Sequence, residues 1–334
     1  MSELDLYMSR NENPMGPSPL ALKAVMDRGH TMNLYPEPHA QTIKNKLSLH
    51  LNLPANRIFV SAGSVEALDI LIRNFIQKNE HLIIPKVTFI AYKLLANVFK
   101  VTVRYAAMNG FGINVDDIMI QCDHKTKMII LANPNNPTGM MISHTELLKI
   151  LDYVEDETLV VVDEAYCEYV TDTSYPDTLK LLGQYENLIV LRTFSKIYGL
   201  AGLRVGYAMA SEQMVKQMEY FQAPFTVNRL ASIASQAALD DTQFVQESIE
   251  MNAHSRRELS DNLRKLGFHV ADSQSNFLFV HFDRSTDRDR VVNTLKNAQL
   301  HVALTDYYGD EKAFRLTIPK QNHCNRIIDI LKRH

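Results

Sequence analysis

A segment near the middle of the chain combines an amine, hydroxyls, glycines and a guanidinium. It runs from Arg192 to Tyr207 and follows the apolar run Leu188 to Leu191, which predicts a buried strand. Lys196, inside it, could hold an aldehyde cofactor as a Schiff base, as lysines hold pyridoxal phosphate. A solvated loop lysine is the alternative. Two further segments upstream favour the cofactor interpretation.

The first of these segments is Val160 to Tyr166. Three valines lead into Asp163, which predicts a central parallel strand that ends in a carboxylate, where ligands bind in open α/β sheets. Asp163 could pair with a pyridine nitrogen, because a protonated ring is the better electron sink. Tyr166 could donate a hydrogen bond to the ring oxygen. A helix N-cap is the alternative role for Asp163.

The second segment is Met128 to Gly139, where an apolar run leads into Asn-Pro-Asn-Asn-Pro-Thr-Gly. Asn, Pro and Gly favour a tight and rigid turn after the predicted strand. Such a turn could direct the amide of Asn136 into a pocket. An ordinary turn is the alternative, and the particular order of residues in the motif argues against it.

Together these segments resemble the aspartate-aminotransferase superfamily of pyridoxal-phosphate enzymes, and within it the histidinol-phosphate aminotransferase branch. The resemblance covers nearly the whole chain. It implies the α/β aminotransferase fold, with a large domain built on a mostly parallel sheet and a small α+β domain. The further motifs that carry it are Asn11–Pro19, Tyr35–Pro38, Ser61–Leu68, Pro224–Asn228, Ser275–Leu278 and Phe314–Thr317.

The resemblance also implies pyridoxal phosphate as the cofactor and a role for each cofactor-binding residue. Lys196 would anchor the cofactor and later move the proton, Asp163 would pair with the ring nitrogen, and Tyr166 and Asn136 would contact the ring oxygen. Phe89 is implied on the face of the ring, with core packing as its alternative. The phosphate would lie at a helix N-terminus, whose dipole favours anions. Its implied ligands are Gly63, Ser64, Val65, Thr193, Ser195 and Arg204.

Substrate and partner contacts follow from the same resemblance. Arg315 lies on a predicted apolar strand, where a buried guanidinium needs an anion. The resemblance makes that anion part of the substrate and places Asn13, Asn136 and Asn276 nearby; a turn residue is the alternative for Asn276. Tyr35 would reach the cofactor phosphate of a second subunit, which implies a homodimer. A surface turn is the alternative for Tyr35.

Two departures from the family leave the amino donor open. The family's N-terminal leader, with a Pro-Tyr pair that contacts the substrate phosphate, is expected to be missing, and Ala303 stands where a second phosphate-binding arginine is usual. A single arginine could instead clamp a carboxylate. The resemblance implies transamination of histidinol phosphate or a related amino donor with 2-oxoglutarate, within histidine biosynthesis. An aromatic or other amino acid aminotransferase and a threonine-phosphate-type decarboxylase are the alternatives.

Composition excludes several other classes of protein. The 334 residues are 46% hydrophobic and 22% charged, with a formal net charge of −3. These values indicate a globular protein without the basic footprint of nucleic-acid binding. No apolar run is long enough to span a bilayer, and neither His nor Cys spacing predicts a metal site. The polar N-terminus has no signal-peptide core, and three widely spaced cysteines favour the reducing cytoplasm.

Strands alternate with helices as far as Met209, which predicts an α/β sheet flanked by helices. Residues 224–266 are predicted to be helical, ending at Gly267, and residues 269–282 are predicted to form a strand. We predict a large cofactor-binding domain over residues 30–240. Residues 1–29 and 241–334 would form a discontinuous small domain.

Overall fold

A computed structural model describes residues 5–333; residues 1–4 and His334, which belong to the predicted small domain, lie outside the described residues. The strands are β1 (Leu6–Met8), β2 (Ile58–Ser61), β3 (His81–Pro85), β4 (Thr102–Ala106), β5 (Met108–Asn109), β6 (Gly112–Ile113), β7 (Thr126–Ala132), β8 (Leu159–Asp163), β9 (Leu188–Thr193), β10 (Gly206–Met209), β11 (His269–Val270), β12 (Phe277–His281), β13 (Leu300–Leu304) and β14 (Ala313–Thr317). The helices are α1 (Pro19–Arg28), α2 (Gln41–Leu51), α3 (Ser64–Phe75), α4 (Ile90–Val98), α5 (Val115–Gln121), α6 (His144–Tyr153), α7 (Thr178–Leu181), α8 (Glu212–Phe221), α9 (Arg229–Asp240), α10 (Thr242–Lys265), α11 (Ser285–Asn297) and α12 (Gln321–Leu331).

The main sheet has seven strands in the order β2-β10-β9-β8-β7-β3-β4. Its strands run parallel except β10, which is antiparallel to both neighbours. Central strands bury both faces, as parallel sheets require: Val160 and Val162 join one hydrophobic cluster and Val161 joins the other. This confirms the predicted α/β class with a mostly parallel sheet. The register pairs Ala132 with Asp163, so the ends of β7 and β8 lie side by side.

The smaller sheet has five strands in the order β1-β13-β14-β12-β11. Its first strand, β1, comes from the N-terminus and pairs in parallel with β13, joining Leu6 to Leu300. The antiparallel pairing of β13 with β14 places Ala303 opposite Arg315. The two ends of the chain therefore meet in one sheet, which packs around its own apolar cluster.

The N-terminal segment contacts both parts of the molecule. Whereas β1 joins the smaller sheet, α1 packs against α9, and Ala21 of α1 belongs to the cluster on the main sheet. Ser18 caps α1 through its side chain, which accepts from the Ala21 amide and donates to Asp241 at 2.5 Å. Domain boundaries at 29/30 and 240/241 stay a prediction.

Two predicted elements are divided in the structure. The strand predicted over 269–282 is wrong in its middle, because Ser273 donates to the Phe277 carbonyl at 2.6 Å and accepts from the Ser275 amide. These local bonds replace the ladder between β11 and β12. The helical region predicted over 224–266 is likewise two helices that meet at Asp241. Its predicted end is confirmed, since Gly267 follows with a φ of +86°.

Within residues 5–333, no helix has the length and apolar character that crossing a bilayer requires. In the same range, no cluster of three or more His, Cys, Asp or Glu side chains is placed to hold a metal ion.

Candidate active site

A cavity of about 310 Å³ lies where the main sheet faces the smaller sheet. The carboxyl ends of β7, β8 and β9 and the start of α3 form one side, and β14, the turn before it and the segment after β1 form the other. Ligand sites of open α/β sheets occur at this edge. The lining residues are Ser9, Arg10, Asn11, Ser64, Val65, Phe89, Tyr92, Ala132, Asn136, Asp163, Ala165, Tyr166, Thr193, Ser195, Lys196, Ala201, Arg204, Tyr308 and Arg315.

Lys196 projects an amine into this cavity. Its Nζ donates to the carbonyl of Arg10 at 3.1 Å and lies 5.5 Å from the centre of the Tyr166 ring. Burial, followed by the positive charge of Arg315, lowers the pKa of Lys196 to about 8. A far larger fraction of this amine is neutral at physiological pH than for an ordinary lysine, which suits a nucleophile that attacks an aldehyde.

Asp163 ends β8 at the floor of the cavity. One carboxylate oxygen, Oδ2, accepts from the Tyr92 hydroxyl at 2.9 Å, whereas Oδ1 is buried with no hydrogen-bond partner. Burial raises the pKa of Asp163 to about 6. A buried acceptor without a donor is costly. A ligand that brings a cationic N–H to Oδ1 relieves that cost, and a pyridinium ring fits this requirement.

An anion pocket lies at the start of α3. Gly63, directly before the helix, has a φ of +80°, and a Cβ there would lie 2.5 Å from Nη2 of Arg204. A Cβ on Gly206 would lie 2.6 Å from the amide nitrogen of Ser64. Both glycines therefore allow close approach to the helix N-terminus, where backbone amides and the helix dipole favour a phosphate.

Two hydroxyls and a guanidinium complete this pocket. The side chain of Thr193 donates to the Ser195 hydroxyl at 2.9 Å, and Nη1 of Arg204 donates to the same hydroxyl at 3.3 Å. Ser64 and Val65 also line the cavity. All six predicted phosphate-binding residues thus lie together, although β9, α3 and the turn before β10 supply them separately.

The Tyr166 hydroxyl lies between two amides on the wall of the cavity. It accepts from Nδ2 of Asn11 at 3.0 Å and from Nδ2 of Asn136 at 3.5 Å. Burial raises the pKa of Tyr166 to about 12, so the phenol stays protonated at neutral pH. Its O–H is therefore available to donate to a ligand oxygen. The ring is held edge-on against Phe277, with centroids 5.0 Å apart.

Arg315 enters the cavity from β14 and is only 3% exposed. Its Nη2 donates to the carbonyl of Ser9 at 2.6 Å, and its Nη1 donates to the Tyr308 hydroxyl at 3.0 Å and to Oδ1 of Asn136. Its Nε has no partner, and none of the ion pairs among residues 5–333 involves Arg315. A buried guanidinium held only by neutral groups favours an anionic ligand.

Besides Gly63, which lies directly before α3, three predicted site residues do not line the cavity of this chain. Asn13 donates to the Ile197 carbonyl at 2.8 Å, and Asn276 donates to the Asn11 carbonyl at 3.1 Å. Both amides thus hold the segments that carry other site residues. Tyr35 is 81% exposed and packs against Phe225, with ring centroids 5.2 Å apart.

Phe89 lies in the cavity wall and meets the Tyr92 ring edge-on with centroids 5.5 Å apart, while its place on the face of a cofactor stays a prediction. Tyr92 was missed by the sequence reasoning, although it lies in the first turn of α4, three residues after Phe89 at the N-cap. Tyr308 was also missed as a site residue. Its signal is Gly309, which has a φ of +100° and whose Cβ would lie 2.7 Å from the Lys86 carbonyl, so the turn packs closely on the main domain.

Comparisons with known proteins agree with this geometry. The profile of the family described as aminotransferase class I and II matches residues 5–331. The histidinol-phosphate aminotransferase of Anaeromyxobacter sp. (strain Fw109-5) is 37% identical over 98% of this chain and 90% of its own length. That of Bacillus subtilis (strain 168) is 36% identical over 97% of this chain and 90% of its own length.

Solved structures show the same fold. Histidinol-phosphate aminotransferase from Sinorhizobium meliloti, in complex with pyridoxal-5'-phosphate, superposes with a TM-score of 0.90. The match covers 99% of this chain and 91% of the other, at 20% identity. The family match and the two curated relatives extend over nearly the whole chain, and the site contains an amine, a buried carboxylate and an anion pocket. The chain therefore belongs to the class I and II aminotransferases, and it is a pyridoxal-phosphate-dependent enzyme of that family.

Proposed function

We propose that the enzyme transfers the amino group of histidinol phosphate to 2-oxoglutarate. The observation that carries this proposal is Arg315, a buried guanidinium without a carboxylate partner that lines the same cavity as Lys196. Both substrates have an anionic group that such an arginine can hold. The names of the curated relatives support the same donor.

The cofactor would be held by the residues whose geometry fits it. Lys196 would carry it covalently, Asp163 would accept from its ring nitrogen, and Tyr166 would donate to its ring oxygen. The start of α3, with Thr193, Ser195 and Arg204, would hold its phosphate. When bound, pyridoxal phosphate supplies an electron sink for the pair left behind when a bond to the amino-bearing carbon breaks.

The remaining chemistry belongs to side chains of this protein. Burial lowers the pKa of Lys196 to about 8 in the cofactor-free protein. Once displaced by the donor's amine, its Nζ would take the proton from the amino-bearing carbon. Asp163, as a carboxylate, would keep the ring nitrogen protonated. Arg315 would hold the anionic end of the donor, and thereby orient the bond that breaks.

A specific observation favours a second candidate, an amino acid donor. Ala303 pairs with Arg315 across β13 and β14, so β13 adds no second guanidinium beside it. One arginine suffices for a carboxylate, which it can bind through two parallel N–H bonds.

The test is a set of single half-reactions of the cofactor-loaded enzyme. L-histidinol phosphate, L-phenylalanine, L-glutamate and O-phospho-L-threonine are mixed with it separately, and conversion to the amino form of the cofactor is followed by absorbance. Fast conversion by histidinol phosphate and by glutamate is expected. Conversion by amino acids alone would replace the proposed donor, and carbon dioxide release from phosphothreonine would indicate the decarboxylase. Lys196→Ala is the control, and full turnover by it would overturn the role of Lys196.

We also propose a homodimer whose sites share Tyr35, and a cytoplasmic location. The exposed Tyr35 ring lies outside the cavity of its own chain, so a cofactor contact would have to be made in a second copy. The three cysteines are free thiols, which fits a reducing compartment.

A further inference from the structure

The end of the cavity that would hold the donor's anion has one guanidinium and a gap beside it. Paired residues on neighbouring strands project from the same face of a sheet. The pairing of Ala303 with Arg315 therefore leaves a methyl group next to the guanidinium. A phosphate monoester, with up to two negative charges and three acceptor oxygens, would find a single arginine on this sheet.

The segment after β1 crosses the cavity at this place. The carbonyl of Ser9 accepts from Nη2 of Arg315 at 2.6 Å, and the carbonyl of the next residue, Arg10, accepts from Nζ of Lys196 at 3.1 Å. The backbone of Arg10 thus bridges the reactive amine and the anion-binding guanidinium. Asn11 follows at a φ of +56° and donates its backbone amide to Thr317 at 3.0 Å, which holds the crossing in place.

Arg10 is an arginine whose side chain has no bonding partner. Three arginines line the cavity: Arg204 donates to Ser195 and to the Ala201 carbonyl, and Arg315 is held by Ser9, Asn136 and Tyr308. Among residues 5–333, the guanidinium of Arg10 makes no ion pair or hydrogen bond, and Arg10 both lines the cavity and is exposed. Its guanidinium is therefore available to a ligand.

We propose that Arg10 supplies the second guanidinium for the phosphate end of the amino donor, in place of the side chain that Ala303 lacks. The inference rests on the proposed function and gives its specificity a named residue. Two guanidiniums match the charge and the acceptor number of a phosphate monoester. A donor that ends in a hydroxyl, or a carboxylate already paired with Arg315, gains less from Arg10. The residue therefore selects phosphorylated donors over their unphosphorylated counterparts.

The experiment compares L-histidinol phosphate with L-histidinol, which differs only by the phosphate. The ratio of kcat/KM for the two donors is measured in the wild type and in three variants. These are Arg10→Ala, Arg10→Lys and a double variant that combines Arg10→Ala with Ala303→Arg. Removing one charge-assisted contact should lower the ratio by about tenfold to a hundredfold. The loss should appear mainly in KM, because Arg10 binds an end of the donor that does not react.

The double variant separates charge placement from folding damage. Ala303→Arg places a guanidinium opposite Arg315, so it should recover most of the ratio lost in Arg10→Ala. Arg10→Lys keeps a positive charge and should retain part of the ratio. Arg333→Ala, which removes an exposed charge beyond α12, is the matched control and should keep the wild-type ratio. An unchanged ratio in Arg10→Ala, or a ratio that Ala303→Arg does not recover, would overturn the inference.

A second readout remains informative if the proposed donor is wrong. Inorganic phosphate should inhibit the glutamate half-reaction competitively, with an inhibition constant raised about tenfold or more in Arg10→Ala. If the wild type does not react with histidinol phosphate but the inhibition constants of the two proteins differ in this way, the proposed function is contradicted and the role of Arg10 is supported. Equal inhibition constants in the two proteins contradict the role of Arg10.

Discussion

Burial shifts the two central ionisable groups of the cavity in opposite directions. It lowers the pKa of Lys196 to about 8 and raises that of Asp163 to about 6. Low polarity disfavours the charged form of each group. Because Oδ1 of Asp163 has no hydrogen-bond donor, the carboxylate form of this residue is disfavoured further. Both groups thus titrate near neutrality, where small changes of pH alter cofactor capture.

The first prediction concerns the pH dependence of that capture. A lysine is neutral above its pKa, so the rate at which cofactor-free enzyme binds pyridoxal phosphate covalently should rise with pH and level off above about 8. Borohydride trapping at timed points, followed by mass spectrometry of the Lys196 peptide, measures this rate. N-acetyl-lysine, with an amine pKa of roughly 10.4, serves as the comparison and should keep rising. A protein profile that also rises beyond pH 10 contradicts the lowered pKa.

A second prediction concerns the stability cost of Asp163. The pKa of about 6 in the folded protein is above the ordinary aspartate pKa of 3.8, so the free-energy cost of burying the carboxylate is complete above pH 6 and absent below about pH 4. Asp163→Asn should therefore stabilise the cofactor-free protein at pH 7.5, by up to about 3 kcal/mol. The same substitution should weaken cofactor binding. Denaturant unfolding at pH 7.5 and 5 tests this, and equal effects at both pH values would contradict it.

The residues of the site differ in how readily the sequence alone predicts their roles. Lys196, Asp163 and Asn136 could be proposed because each follows an apolar run, and the residues after parallel strands converge on one edge. Tyr92 could not, because its role depends on a hydrogen bond to Asp163, 71 residues away. Arg10 was passed over for a similar reason. Nothing local shows that its carbonyl meets Lys196, 186 residues later.

At the scale of elements, the anion pocket depends on how closely β10 approaches the start of α3. A Cβ on Gly206 would lie 2.6 Å from the Ser64 amide and 3.0 Å from the Arg192 carbonyl. Both are backbone atoms, so the strand or the helix would have to move. The spacing of two neighbouring elements is thus set by the absence of one methyl group.

The third prediction follows from this contact. Gly206→Ala should destabilise the protein by roughly 1–3 kcal/mol through overpacking. It should also weaken retention of pyridoxal phosphate several-fold, because the helix amides are displaced from the phosphate. Gly202→Ala is the matched control, since a Cβ there meets nothing within 4 Å. Thermal unfolding and cofactor titration measure the two effects. Identical behaviour of the two variants would contradict the argument.

Regular elements were predictable where a hydrophobic period was long, and less so where polar side chains interrupt the backbone. The strands β7, β8 and β9 are continuous apolar runs, so their existence could be derived. The break between β11 and β12 could not, because it depends on serine hydroxyls that bond to the local backbone. The antiparallel direction of β10 could not be predicted either, because an apolar run indicates a strand but not whether it pairs parallel or antiparallel with its neighbours.

For the whole molecule, Tyr35 poses the main question. Its ring is 81% exposed and packs only against Phe225 among the aromatic rings of the described chain. Exposed aromatic residues of this size are common at protein interfaces. The homodimer proposed above, in which each Tyr35 would reach the opposite cavity, would give the residue a chemical role.

The fourth prediction tests this sharing by mixing two defective subunits. Tyr35→Phe would remove the proposed phosphate contact and should weaken cofactor retention by about tenfold. Lys196→Ala abolishes turnover. A dimer with one subunit of each variant has one cavity that combines an intact Lys196 with an intact Tyr35 of the other subunit. After random mixing, half of the dimers are such hybrids. Tight cofactor binding and activity should therefore return in a quarter of all sites. No recovery would mean that each chain supplies its own contacts.

The pairing of β1 with β13 also has a consequence for how the protein is made. Asn11, beside β1, bonds to Thr317, 306 residues later. At the usual rate of translation, roughly 15 to 60 s pass between the synthesis of Asn11 and that of Thr317. During that interval the emerging chain holds the lysine and the carboxylate on a sheet that can already form, while the guanidinium of Arg315 has yet to be synthesised. The residues of the chain's own cavity that would hold the coenzyme are therefore all synthesised before the arginine that would hold the substrate.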